Sequence, residues 1–301
     1  MSQLSTAHSV VYYEDTLETH PEVTGKPVVI FLNGWALSCR YWKPVVDALT
    51  PDYRCITLDQ SGTGRTKVVH NQHKFNIPVF ADEASELIEK LGIAGDHNMH
   101  IIGHSMGSMV ATELHHRYPN ATASVTIIAC GIFDYSWWQM QMLSWFVETS
   151  MNFKWLFFLG SFKEAFVEKA TSQPIGEAFE KIIVEDFLNT DTEAAKQVGT
   201  LSLDKGALDL YTAQSVSIDA PLLLCVGIDD KTIPPDGMVT LYERRQGTAA
   251  SPTTLIQYPG TGHLPMLENT EEFVKNLREH FSQSAQFARK PVEPIAANAK
   301  S

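Results

Sequence analysis

The chain has 301 residues, 44% of them hydrophobic and 19% charged, with a formal net charge of -12. These totals describe an ordinary soluble globular protein with material for one large core or two smaller ones, and they exclude a fibre or a disordered chain. The acidic balance and the lack of any basic run exclude nucleic acid and anionic membrane as partners, since phosphate recruits clustered Lys and Arg.

The opening residues Met1 to His8 lack the charged and apolar regions of a secretory signal, and no stretch reaches the roughly 20 apolar residues of a spanning helix. A cytoplasmic protein without membrane contact is expected. Cys39, Cys55, Cys130 and Cys225 are scattered with no C-x-x-C spacing, so they read as free buried thiols.

In chain order, residues 1–8 carry no pattern and are expected to be a disordered tail. Val10 to Glu14 alternates as an outer strand, and Val28 to Leu32 is a continuous β-branched and aromatic run, the pattern of a strand covered on both faces. The loop Asn33-Gly34-Trp35 follows, then a helix over Tyr41 to Leu49. A strand at Tyr53 to Leu58 closes with Asp59-Gln60-Ser61-Gly62-Thr63-Gly64. Pro78 to Leu91 reads as a helix, Met99 to Gly103 as a strand, Met106 to Tyr118 as a helix and Ala123 to Ala129 as a strand. Repeated strand, loop and helix predict right-handed crossovers and an α/β fold with a mostly parallel, doubly wound sheet.

The alternation stops over 133–219, where helical periodicity dominates. This segment is expected to be an inserted helical cap, and it holds Trp137, Trp138, Trp145 and Trp155, four of the six tryptophans. The sheet pattern resumes at Pro221 to Gly227, followed by a helix over Met238 to Arg245, a strand at Thr253 to Tyr258 and a helix at Glu271 to Phe281. The core is therefore expected over 9–132 and 220–285, with a disordered tail over 286–301.

Gly103-His104-Ser105-Met106-Gly107 lies where a strand turns into a helix. Glycines two before and two after a serine allow a turn tight enough to present the hydroxyl at its tip. A serine hydroxyl needs a base and an acid that orients the base. Asp230 stands three residues beyond Gly227, after one strand, and His263 follows Gly262 after the last. Nucleophile, acid and base thus occur in that order, each after a strand of the expected parallel sheet, where open α/β sheets place their binding sites. Asp229 adjoins the favoured acid, and Asp134, after the strand that follows the elbow helix, is the runner-up.

These motifs, with Trp42 and Glu268, resemble those of α/β-hydrolase fold proteins with a helical cap over Val10 to Phe281. The resemblance implies an oxyanion hole made by the backbone N–H groups of Trp35 and Met106. Many members carry His-Gly where this chain has Asn33-Gly34, so the hydrogen bonds of that loop's side chains are expected to differ. Trp35, His104, Trp137, Trp138 and Leu264 are candidate pocket residues, although aromatics at helical spacing commonly pack within the cap itself.

The combined reading is a serine hydrolase of a carboxylic ester or lactone with an apolar moiety, working through Ser105, Asp230, His263 and an acyl-enzyme, with no metal or organic cofactor implied. C–C bond hydrolases and perhydrolases share the motifs. The alternatives from other classes are a cofactor-free dioxygenase of a heteroaromatic substrate using the His/Asp pair, and a slow-turnover ligand-binding receptor.

Overall fold

In the computed structural model, which describes residues 2–69, 74–95, 97–132, 136–158 and 160–287, the apolar runs form one nine-stranded sheet. The strands are β1 (Ser2–Ser5), β2 (Ser9–Asp15), β3 (Val28–Leu32), β4 (Arg54–Leu58), β5 (Lys67–Val68), β6 (Met99–His104), β7 (Thr122–Ile128), β8 (Leu222–Gly227) and β9 (Thr253–Tyr258). Their spatial order is β1-β2-β4-β3-β6-β7-β8-β9, with β5 paired to β2 off that path. Every pairing from β4 to β9 is parallel, whereas β1, β2 and β5 form an antiparallel edge.

The continuous apolar runs are explained by what covers them. The helices are α1 (Lys43–Leu49), α2 (Ile77–Leu91), α3 (Met106–Arg117), α4 (Trp137–Asn152), α5 (Gly160–Ala170), α6 (Glu177–Asn189), α7 (Thr192–Ser202), α8 (Lys205–Ser217), α9 (Asp236–Arg245), α10 (Pro265–Glu268) and α11 (Thr270–Ser284). Val28, Ile30 and Leu32 of β3 face a core shared with Phe80 and Leu87 of α2 and Val110 and Leu114 of α3. The intervening Val29 and Phe31 face a second core with Val45 and Leu49 of α1 and Phe273 and Leu277 of α11. Side chains alternate across a strand, so a sheet covered on both faces needs apolar residues at every position.

β3 has β4 on one side and β6 on the other, so the chain reverses its direction of travel across the sheet at this point. Loops leaving the carboxyl ends of β3 and β6 diverge there and open a crevice. Among the described residues, no helix is long and apolar enough to cross a membrane. All four cysteines are free and buried.

Two boundaries differ from expectation. Ser2–Ser5, expected within a disordered tail, pairs antiparallel with Val10 to Tyr13 of β2, and Leu4 packs on the core. The segment has no strand composition of its own; the open ladder of β2 supplies the hydrogen bonds. At the other boundary, α8 lies within the expected cap but packs on α3 and α9. Its Leu208 and Tyr211 join the sheet core, and the Tyr211 hydroxyl donates to the Cys130 carbonyl. Ala194 and Val198 of α7 and Ile183 of α6 also reach the sheet cores; helical periodicity alone does not say which layer a helix covers. Residues from 288 onward lie outside the described residues.

The loop after β4 is tied down from α2. Glu83, fully buried, accepts hydrogen bonds from the Ser9 hydroxyl (2.8 Å), the Ser61 N–H (3.1 Å) and the Ser61 hydroxyl. Burial pushes its carboxyl from 4.5 up to about 7, with the serine hydrogen bonds opposing that rise. A folded pKa above the unfolded one means that folding takes up a proton between those values. Stability from this group is therefore greatest below pH 4.5, falls as pH rises toward 7 and then levels off. A glutamine would reproduce the protonated form, accepting from the Ser61 N–H and donating to the hydroxyls. Glu83→Gln is expected to match the wild type in urea denaturation near pH 4.5 and to exceed it by about 2 kcal/mol at pH 8. Parallel stability-pH curves for the two proteins would contradict this account.

Candidate active site

β6 ends at His104 and α3 begins at Met106, so Ser105 alone makes the turn between them. It does so at φ 51° and ψ -125°, a conformation that costs a non-glycine residue about 1–3 kcal/mol. The flanking glycines are a steric requirement. A Cβ at Gly103 would stand 2.4 Å from the Gly107 carbonyl oxygen, and one at Gly107 would stand 2.3 Å from the Leu32 oxygen and 2.6 Å from that of Asn33. The turn is held by Ser105 N–H on the Ile128 carbonyl (2.8 Å) and by the Ser108 hydroxyl on the Gly103 carbonyl (2.8 Å).

Asp230 follows β8, and His263 follows β9. His263 Nδ1 and Asp230 Oδ2 are 2.7 Å apart. The other oxygen, Oδ1, accepts from the N–H groups of Thr232 (2.7 Å) and Ile233 (2.9 Å), and the Asp230 side chain is wholly buried. With Nδ1–H donating to the carboxylate, the neutral ring presents Nε2 as its free lone pair. Asp229 is exposed instead, because adjacent residues in this turn point apart. The alternative acid Asp134 lies outside the described residues.

Ser105 and His263 both line one cavity of about 400 Å³. Its floor includes Gly34, Trp35, His104 and Leu264, and its roof comes from the cap, with Leu143 and Val147 of α4, Phe166 of α5, and Ile183 and Phe187 of α6. Of the expected pocket residues, Trp35, His104 and Leu264 are in this wall. Trp138 is not among the lining residues and is 71% exposed. On a helix with 3.6 residues per turn, Leu143, Phe146 and Val147 share the cavity side of α4, which leaves Trp138 and Trp145 on the opposite side. Trp137 stands in the first turn of α4, and its side chain lies outside the described residues.

The loop after β3 is fixed by buried polar groups. Asn33 replaces the family's usual histidine, and its amide donates to the Leu58 carbonyl (2.7 Å) while its oxygen accepts from the Trp42 indole (3.0 Å). The Asn33 N–H donates to Gln60 Oε1 (2.9 Å), and the Gly34 N–H to the Tyr41 hydroxyl (3.2 Å). Among the described residues, the next N–H, that of Trp35, has no backbone or side-chain acceptor. Met106 opens α3, so its N–H has no intrahelical partner. Met106 follows Ser105 directly in the chain, and Trp35 lines the same cavity as Ser105.

Of the groups that hold these loops, sequence reading named Glu268 and His104 without this role and found no sign of Tyr41 or Asp186. The Tyr41 hydroxyl lies 3.1 Å from His104 Nδ1, and His104 Nε2 lies 3.0 Å from the His263 carbonyl oxygen. A carbonyl only accepts, so Nε2 carries the proton and Tyr41 donates to Nδ1. Burial, reinforced by the neighbouring His263, holds His104 well below the ordinary imidazole value, which keeps it neutral as this chain requires. Glu268 accepts from the N–H groups of Gly262 (2.9 Å) and Leu264 (3.1 Å), on either side of His263, and from those of Ser172 (2.7 Å) and Gln173 (3.0 Å). Asp186 of α6 accepts from the Ser38 N–H (2.8 Å) and hydroxyl (2.6 Å) and pairs with Arg40, while the Trp35 indole donates to the Ala195 carbonyl of α7 (2.8 Å). A carboxylate close after a Gly-His turn signals a loop clamp; nothing in the sequence marks Tyr41 or Asp186.

The fold and this arrangement together define an α/β hydrolase, and the chain belongs to that family: the alpha/beta hydrolase fold model matches residues 27–270. Among curated relatives it is similar to the "Putative carbamate hydrolase RutD" of Escherichia coli, 32% identical over 108 residues, 36% of this chain and 38% of that one. The counterpart in Agrobacterium fabrum is 28% identical over 114 residues, 36% and 42% of the two chains. The chain thus spans about two fifths of the curated relatives it matches. Solved structures are similar over nearly the whole length. The enol-lactonase from Burkholderia xenovorans LB400 has a TM-score of 0.75 at 17% identity, covering 93% of this chain and 100% of that one. A thermophilic esterase from Thermogutta terrifontis has a TM-score of 0.72 at 21% identity, covering 94% and 99%. At these identities the structural likeness shows the fold.

The strain at Ser105 has a measurable consequence. Ser105→Gly relieves the positive φ, whereas Ser105→Ala keeps it. The glycine variant is expected to unfold at higher denaturant concentration than the alanine variant, by about 1 kcal/mol once the greater freedom of glycine in the unfolded chain is deducted. Equal stabilities would show that the turn holds no strain.

Proposed function

We propose that the protein is a serine hydrolase acting on a carboxylic ester or lactone with an apolar moiety. Ser105 Oγ attacks the carbonyl carbon while His263 Nε2 takes the hydroxyl proton. Asp230 holds the imidazole in the tautomer that leaves Nε2 free and stabilises the imidazolium that forms. The N–H groups of Trp35 and Met106 receive the developing negative oxygen, each worth on the order of 10²- to 10³-fold in rate. Collapse of the adduct expels the alcohol oxygen, which takes the proton from His263, and leaves an acyl group on Ser105. A water molecule activated by His263 then releases the acid and restores the serine.

The observation that carries this reading is the 2.7 Å His263–Asp230 hydrogen bond behind a cavity whose wall also holds Ser105. The backbone strain at Ser105 supports it further, because a dioxygenase working through the His/Asp pair alone has no use for a serine held at positive φ. The apolar cap side chains over the cavity support an apolar substrate moiety, and the relatives named as hydrolases agree with the reaction class.

A fluorophosphonate probe is expected to attach to Ser105 in the folded protein and to leave the Ser105→Ala variant unmodified, as read by intact-protein mass spectrometry. Absence of labelling in the wild type would sink the hydrolase reading. For the acid, Asp230→Asn is expected to lower kcat on a p-nitrophenyl ester by about 10³- to 10⁴-fold, as loss of the orienting carboxylate does in other triads, whereas Asp229→Asn remains within about twofold. The reverse pattern would transfer the role to Asp229.

A further inference from the structure

Among the described residues, the cavity wall contains no carboxylate and one permanently charged side chain, the ammonium of Lys169. That composition runs against the chain as a whole, in which 35 acidic residues outnumber 23 basic ones. Lys169 is exposed at the end of α5, and its Nζ lies 4.5 Å from the centre of the Phe146 ring of α4, which also lines the cavity. Among the described residues its ammonium forms no ion pair and meets the Phe146 ring. An aromatic face attracts a cation but accepts none of its three N–H groups in the way an oxygen does, so the donors stay available.

The backbone at Lys169 is tied to the loop that carries Asp230. The Thr232 hydroxyl, two residues beyond Asp230, donates to the Lys169 carbonyl (3.2 Å). Lys231 Nζ donates to the Glu168 carbonyl (3.5 Å), which adds a second positive charge on the same side without entering the cavity wall. A chamber lined mainly by apolar side chains, with Ser105 in its wall and at its rim a cation that has no ion pair among the described residues, suits a ligand that is apolar between two oxygen-bearing ends.

We propose that the substrate carries a carboxylate remote from the carbonyl that is cleaved, and that Lys169 binds it. This rests on the ester or lactone reading above and narrows it to half-esters of dicarboxylic acids or lactones bearing a carboxylate. The apolar roof holds the intervening chain, and the ammonium replaces part of the hydration that the carboxylate loses on entry.

The test compares matched pairs in a pH-stat: monomethyl adipate with methyl hexanoate, and monomethyl suberate with methyl octanoate. The wild type is expected to prefer at least one half-ester over its neutral partner in kcat/KM. Lys169→Met is expected to lower that anionic-to-neutral ratio about tenfold, Lys169→Glu to lower it further, and Lys169→Arg to retain most of it. Lys231→Met should leave the ratio at its wild-type value. An unchanged ratio in Lys169→Met, or an equal fall in Lys231→Met, overturns the assignment, the second result pointing to diffuse attraction by the rim. Calorimetric binding of the same ligands to the Ser105→Ala protein separates this inference from the reaction it rests on. If the wild type hydrolyses none of the esters but Ser105→Ala binds a half-ester in a Lys169-dependent way, the hydrolase reading falls and the anion site stands. If no half-ester is preferred in binding or turnover, the anion site falls.

Discussion

The arrangement depends on one close approach of backbone to backbone. Gly107, at the start of α3, lies so near the end of β3 that even a methyl group would overlap the Leu32 and Asn33 carbonyls. That contact sets the spacing between the elbow and the β3 loop, and hence between the Ser105 hydroxyl and the amides of Trp35 and Met106. It is available only at the point where the strand order reverses, because there the carboxyl ends of β3 and β6 are neighbours while their loops leave in different directions. The parallel sheet and the two cores that cover it exist, in functional terms, to hold this approach rigid.

Around that contact, the loops are fixed by buried polar side chains that meet backbone groups. Asn33 joins the β3 loop to β4, Glu268 gathers four N–H groups around His263, and the Tyr41-His104 pair connects the Gly34 amide to the His263 carbonyl. Each such group is partnered, which removes the penalty of about 1–3 kcal/mol that a buried unpaired polar group carries. The neutral state of His104 is part of this order: protonation would place a positive charge beside the His263 imidazole and remove the acceptor that Tyr41 needs.

Much of this was legible in the sequence because the relevant signals are local. The strand positions were visible as continuous apolar runs, and the elbow was visible because Gly103 and Gly107 bracket a serine where a strand-type run gives way to a helix-type segment. Asp230 could be separated from Asp229 only by its spacing from Gly227, and the structure adds what spacing could not, that one carboxylate is buried against His263 and the other faces water. The cap was legible as helical and aromatic but not in its phase: Trp138 and Trp145 stand out in the sequence, yet Leu143, Phe146 and Val147 take the cavity side. Lys169 carried no signal at all, since a lysine on an amphipathic helix is ordinarily solvated and only the three-dimensional wall shows it to be the charged side chain there among the described residues. The β1 strand was missed for the opposite reason, its pairing being supplied by β2 rather than by its own composition.

Two of the tethers between the cap helices and the core land on neighbouring residues of one core segment. The Trp35 indole holds the Ala195 carbonyl of α7, and Ser38 with Arg40 holds Asp186 of α6. The same segment carries the Trp35 amide proposed above as an oxyanion donor. In that reading, selectivity and turnover are not separable modules in this molecule. A cap transplanted from another hydrolase to change the chamber arrives without these two acceptors and releases the strand-to-helix loop beneath it, so a successful graft must bring an Asp186 equivalent and a carbonyl placed like that of Ala195.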